Sequence, residues 1–317
     1  MTDLISLLTA RFHTSLRTAL GVCLAGFLSL GVCTQNAYAE AHAVQDSGGL
    51  PASLRIGYRT DAAPFAYKDE SGQPAGYTVA LCGRIAEELQ AAKGSLEIEY
   101  VPLTAAERGP AIRNGRVDML CGADTVTLSR RKIVSFSVPV FVDGIGALVS
   151  DAAPRQLRDL LEDRKPPFRP RAKTSFADIL RQRTFTVVDG SLAEDWLAAE
   201  IDKFQIVSDT ITAPDYATGI EQVLSGEADV FFGDRAILLY AAQNSRESDE
   251  LNVLDRRFTT ELIAIALQRD NSELRLFVDT VLSRLYRSGE LEEIYRRSFG
   301  APDEETLSLF RQSALPE

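Results

Sequence analysis

The sequence predicts an α/β protein of two lobes, each a largely parallel sheet covered by helices. Residues 54–120 and 185–232 each run strand, helix, strand, helix, strand, the order that yields parallel strands with helical crossovers. At 317 residues and 45% hydrophobic content, the chain can also bury more than one core.

Residues 1–39 stand apart. Arg11 and Arg17 precede an apolar run over 19–32, and Ala37-Tyr38-Ala39 places small residues where a signal peptidase reads. An export signal cut after Ala39 is expected, because the run of about 14 residues falls short of the roughly 20 that span a bilayer. A lipid-anchored start at Cys33 is the alternative, with bulky Val32 against it. Cleavage leaves 32 basic and 44 acidic residues, a net charge of −12. An acidic exported protein, soluble and monomeric in the periplasm, is a poor partner for nucleic acid or anionic lipid.

Residues 40–52 read as a loose leader. A strand follows over 54–58, then a turn in which Pro64 forbids a continuing central strand, and a hairpin-like segment over 69–72. Leu81, Ile85 and Leu89 recur at helical spacing. Next come a strand over 96–101, a helix over 105–113 closed by Asn114-Gly115, and a strand over 117–120. The apolar stretch 138–149 is suited to cross between lobes, and the RKPPFRPR run (164–171) fits an exposed loop. In the second series, strands are expected over 185–188, 204–208 and 229–232. Helices lie between them, the later one carrying Tyr216, Ile220 and Val223. A strand over 261–267 leads to a helix with Leu274, Val278, Val281 and Leu285 on one stripe, then to a short helix over 290–297. Residues 301–317 read as an acidic tail of uncertain order.

Histidine is nearly absent. His13 lies in the signal and His42 in the leader, which argues against His-based triads, His-ligated zinc and His general bases. No P-loop, G-x-S-x-G or dinucleotide fingerprint occurs; Gly144-x-Gly146 is too short, and Ser129-Arg130-Arg131-Lys132 with Lys173-Thr174-Ser175 lacks the S-D-N element of penicillin-recognising enzymes. No cofactor is expected. Cleavage leaves two cysteines, Cys82 on the helical face of Ile85 and Cys121 at a strand end, compatible with a bridge or with two buried thiols.

The stretch MLCGADTVTLSRRKIVSF (119–136) holds the main binding signal. A strand ends in a Thr-rich loop followed by Arg130, whose planar fork can grip a carboxylate while Thr125 adds a hydrogen bond.

With these pieces placed, the chain resembles the amino-acid-binding branch of bacterial periplasmic solute-binding proteins. The matching strings are RIGYRTDAAPFAYKDESGQPAGYTVALCGRIAEEL, EYVPLTAAERGPAIRNGRVDML, CGADTVTLSRRKIVSFS, LSGEADVFFGDRAILLY and LYRSGELEEIYRRSFG, in the family's order over 54–300. The GYR turn before Pro64-Phe65, the ER-x-P string and the Cys121-Gly122 opening are most similar to glutamate/aspartate-binding members; VPLTAAER also resembles general amino-acid binders. The resemblance implies a two-lobe type II periplasmic-binding-protein fold with two hinge strands. Lobe 1 would span 53–141 plus 261–300, lobe 2 would span 144–258, and the chain would pass an amino acid to the membrane permease of an ABC importer. It implies that Arg130 and Thr125 hold the ligand's α-carboxylate and Asp234 its ammonium. Arg59 and Arg108 match positions that hold a distal carboxylate, the alternative being that each pairs with an Asp or Glu. Ala105, Ala123 and Tyr216 stand where such members carry serine, serine and histidine, which puts strict acidic selectivity in doubt. Gly190-Ser191 opens a helix, and Ser191 can face an anion or simply cap it. Other functions on the same scaffold are a dehydratase acting on prephenate-like acids, with Asp215 or Glu194 as the acid, and a ligand-sensing module for a receptor.

Overall fold

A computed structural model describes residues 50–164, 176–181 and 183–316. The expected signal and leader up to residue 49, residues 165–171 of the Pro/Arg run, and the triplet 173–175 lie outside the described residues.

The first sheet starts with β1 (Ser53–Arg59), whose Leu54 and Ile56 are fully buried. Strands β2 (Asp61–Ala62), β3 (Ala66–Lys68) and β4 (Pro74–Ala75) form a small antiparallel sheet around the Asp69 turn, where Asp69 Oδ1 accepts the N–H groups of Ser71 and Gln73. Helix α1 (Tyr77–Lys93) buries Leu81, Cys82, Ile85 and Leu89 on one stripe and stops at Gly94. After β5 (Glu97–Leu103), helix α2 spans Arg108–Arg113 rather than starting at Ala105. Thr104 and Glu107 bond each other reciprocally there, holding 105–107 as a turn. Then follow β6 (Met119–Cys121), α3 (Leu128–Arg131) and β7 (Val134–Asp143).

The second sheet begins with β8 (Ile145–Ser150), followed by α4 (Arg155–Leu161), α5 (Phe176–Leu180), β9 (Thr184–Val188) and α6 (Leu192–Phe204). The strand expected over 204–208 is displaced. Ala193 and Leu197 keep α6 packed, Phe204 is its last residue, and Gln205 closes it in the left-handed region at φ 50°, so β10 is Asp209–Ala213. Next come α7 (Tyr216–Leu224), β11 (Val230–Asp234), α8 (Arg235–Gln243), absent from the sequence reading, and β12 (Leu251–Val253).

The chain returns with β13 (Glu261–Gln268), α9 (Ser272–Ser288) and α10 (Glu290–Phe299). Part of the stretch read as a tail is helical: α11 (Glu304–Ser313) is capped by Asp303 and buries Leu309 and Phe310. Phe310 meets Tyr286 and Tyr295 at ring distances of 5.4 and 5.6 Å, packing that an acidic composition concealed.

The sheet orders are β5-β1-β6-β13-β7 and β10-β9-β11-β8-β12. In the first, β1 runs parallel to β5 and β6 while β13 is antiparallel to β6 and β7; in the second, β9 is parallel to β10 and β11 while β8 is antiparallel to β11 and β12. The chain crosses between sheets at Gly144 and again over 254–260, where Ile145 N–H donates to Thr259 Oγ1 at 2.8 Å. A Cβ on Gly144 would collide with the Thr259 carbonyl oxygen, so the crossings can lie this close only with glycine there. Phe65, Tyr77, Phe141, Tyr295 and Phe299 form an aromatic cluster against the crossing strand, with Phe141 and Phe299 centroids 4.6 Å apart.

Candidate functional site

The residues singled out from sequence sit at strand ends and helix starts, where a parallel sheet leaves groups free for a ligand. Arg59 closes β1, Arg108 opens α2, and Thr125 lies in the loop after β6. Arg130 lies in α3, whose cap Thr127 accepts the Arg130 backbone N–H at 3.1 Å. From the second sheet, Ser191 caps α6 and Asp234 ends β11. These six line one cavity, completed by Ala105, Ala123 and Leu192. It measures about 10 Å³, room for about one water molecule. An amino-acid-sized guest does not fit this cavity as it stands.

Tyr216, the seventh, stands one layer back. Its hydroxyl donates to Asp234 Oδ2 at 2.6 Å and accepts the Asp234 N–H at 3.0 Å, and its ring lies 5.9 Å from the Arg59 guanidinium. Burial, then the charge of Asp234, hold this phenol well above its ordinary pKa, so it remains a donor. Tyr216 thus ties a first-sheet cation to the second-sheet carboxylate.

Arg59 is 5% exposed and meets Asp61 fork to fork, Nε to Oδ1 at 3.0 Å and Nη2 to Oδ2 at 2.8 Å. Burial opposes its charge, but the bonds and charge of Asp61 outweigh it and raise the pKa. Arg108 Nη1 meets Asp124 Oδ1 at 3.2 Å; burial, together with the neighbouring Arg130 and Arg59, leaves its pKa lowered despite Asp124. The second alternative for these arginines is therefore met, since each pairs with an aspartate, and each also lines the cavity. Arg130 differs. Its Nη1 donates to the Thr125 carbonyl at 3.0 Å, and among the described residues no carboxylate lies within ion-pair distance of it.

Asp61 and Asp124 escaped the sequence reading, although Asp61 is two residues from Arg59 and Asp124 adjoins Thr125. Two further acids lie near the crossings. Asp143, 4% exposed, accepts the Ala236 N–H at 3.3 Å, and burial followed by Asp234 push its pKa up to about 8. Glu261 accepts from Thr259 Oγ1 at 2.6 Å and is likewise raised, chiefly by burial.

A larger crevice of about 520 Å³ is bounded by Asp143, Arg235, Tyr240, Arg257 and Tyr295. It holds none of the seven predicted residues, so size and chemistry point to different places; converging charges make the small cavity the better candidate. The acids nominated for dehydratase chemistry are occupied. Asp215 Oδ1 caps α7 by accepting the Thr218 N–H at 2.8 Å, and Glu194 Oε2 accepts the Gly190 N–H at 2.8 Å. Ser191 Oγ accepts the Glu194 N–H at 3.3 Å, so this serine caps its helix while lining the cavity. Cys82 and Cys121 are joined in a disulfide with Cα atoms 6.3 Å apart, fastening α1 beneath the strand that opens the Thr125 loop.

A model of bacterial extracellular solute-binding proteins, family 3, matches residues 54–301. The glutamate/aspartate import solute-binding protein of Escherichia coli K12 is 24% identical over 249 residues, covering 78% of this chain and 76% of that protein. The L-glutamate/L-aspartate-binding protein of Pseudomonas aeruginosa is 25% identical over 253 residues, covering 79% and 78%. Among solved structures, an ancestral amino-acid-binding protein described as a precursor of cyclohexadienyl dehydratase matches with a TM-score of 0.62 at 26% identity, covering 78% of this chain and 96% of that one. The matched span contains both sheets, both crossings and every cavity residue: the chain belongs to the family 3 bacterial extracellular solute-binding proteins and has their two-lobed type II periplasmic-binding-protein fold.

Proposed function

We propose that the protein captures a free amino acid, preferentially one with an acidic side chain, between its lobes in the periplasm and presents it to the permease of an ABC importer. The carrying observation is the charge that faces the cavity: Arg59, Arg108 and Arg130 against Asp234 alone. An acidic amino acid mirrors that set, with two carboxylates and one ammonium. Arg130 and the Thr125 hydroxyl take the α-carboxylate, Asp234 takes the ammonium, and Arg59 with Arg108 meet the distal carboxylate. Each charge of the guest leaves water and needs a partner, or desolvation costs several kcal/mol per ion.

The partition follows from occupancy. Among the described residues Arg130 forms no ion pair, the charge of Glu261 acting on it only from longer range, while Tyr216 holds the Asp234 carboxylate in position. Walls drawn from both sheets mean that binding and closure are coupled, so a guest shifts the open and closed populations by its differential affinity for the closed form. The names of the glutamate/aspartate-binding relatives support the ligand class, as does the placement of the three arginines.

A thermal-shift screen of the mature protein against the amino acids tests this. Glutamate or aspartate at 100 times Kd should stabilise by about 2.7 kcal/mol. Arg130→Ala should abolish the shift with the fold retained. Absence of a shift with every amino acid, or an unchanged shift in the variant, overturns the assignment.

A further inference from the structure

We infer that Asp61 and Asp124 set the side-chain selectivity of this pocket: each lends a resident carboxylate to one arginine of the distal subsite, so the subsite accepts an amide side chain nearly as well as a carboxylate. The inference rests on the binding site proposed above and extends its preferred ligand class from acidic amino acids to their amides.

Asp61 commits both its oxygens to Arg59, and the geometry is the bidentate one that a ligand carboxylate would itself use. Nε and one N–H of Nη2 are thereby taken; the remaining N–H groups of Arg59 are left for a guest. Asp124 reaches Arg108 through Oδ1, and its side chain is 8% exposed. Its other oxygen lies beside Gly122, on the side where the Arg59 methylenes pack. The two acids therefore stand behind a pair of neighbouring guanidinium groups, outside the lining of the cavity. Two cations and two anions make the distal group electrically neutral as a set. Arg130 and Asp234 remain to match the zwitterionic end.

A ligand carboxylate on this subsite shares each fork with a like charge across the guanidinium, and in a site this dry such repulsion is weakly screened. A side-chain amide offers its carbonyl oxygen to the same N–H groups and brings no charge to repel. Ala105 and Ala123 line the cavity with methyl groups and supply no competing donor for a carboxylate. Removing a resident anion should therefore sharpen selection for acid over amide.

The experiment is calorimetric titration of L-glutamate and L-glutamine into the wild type and the Asp61→Asn and Asp124→Asn variants, with Arg130→Ala as the site control. The wild type should bind the two ligands within about tenfold of each other. Each Asn variant should raise the glutamate-to-glutamine affinity ratio by about tenfold, equivalent to about 1.4 kcal/mol. Asp61 is 24% exposed, so its Asn variant keeps the test decisive if Asp124→Asn fails to fold. A wild-type ratio above a thousandfold, or a ratio unmoved in a folded Asp61→Asn protein, overturns the role of the resident acids. The site reading fails separately, if neither ligand binds the wild type or if binding survives in Arg130→Ala.

Discussion

Replacing Asp143 with asparagine should stabilise the protein in a manner that grows with pH. Asp143 ends the crossing strand β7, is 4% exposed, and has no cation within ion-pair distance among the described residues. The Gly144 N–H and the Ala236 N–H, the latter at 3.3 Å, favour its charged form but do not offset the loss of water. Burial first, then the charge of Asp234 and, more weakly, of Glu261, raise the carboxyl from 3.8 to about 8. A displacement of that size carries on the order of 6 kcal/mol. The unfolded chain releases this proton near pH 4, whereas the folded protein holds it up to about pH 8. Between those limits the folded state binds the extra proton, so its stability falls by about 1.4 kcal/mol per pH unit as pH rises. The contribution is complete below about pH 4 and lost by about pH 8. Guanidinium unfolding of wild type and Asp143→Asn from pH 4 to pH 8.5 measures it. The variant should match the wild type at the acid end and exceed it by several kcal/mol at the alkaline end. A difference that stays flat across the range would refute the buried, proton-holding state of Asp143.

Two further outcomes follow from the frame around the site. The Cys82–Cys121 bridge closes a sequence separation of 39 residues, so Cys82→Ala/Cys121→Ala should lose about 3–4 kcal/mol in guanidinium unfolding; an unchanged midpoint would count against it. Gly144→Ala drives a methyl group at the Thr259 carbonyl between the crossings and should cost about 2 kcal/mol or more, read as a lowered Tm. An Ala variant as stable as the wild type would mean that the crossings have room to separate.

Much of the first sheet was legible because its signals are local. Leu81, Ile85 and Leu89 repeat at helical spacing, and α1 buries all three. The displaced β10 shows the limit: residues 204–208 hold Phe204, Ile206 and Val207, a strand-like run, yet α6 extends through Phe204 because its packed stripe carries the helix on. Helix α11 was hidden for the opposite reason. Its acidic surface masks Leu309 and Phe310, whose helical value appears only when Tyr286 and Tyr295 are there to receive them.

The site divides along the same line. From the order of residues alone came the two-series α/β plan, the near absence of histidine, and the pairing of Thr125 with Arg130, because these depend on residue type and short spacing; Asp234 came from the resemblance to a family. Only the folded chain decided that six of the seven predicted residues line a single cavity, that Tyr216 stands behind Asp234, and that Arg59 and Arg108 already hold Asp61 and Asp124. Charge pairing depends on distances of a few ångströms between side chains brought in from different strands and loops. Residue spacing along the chain does not encode those distances.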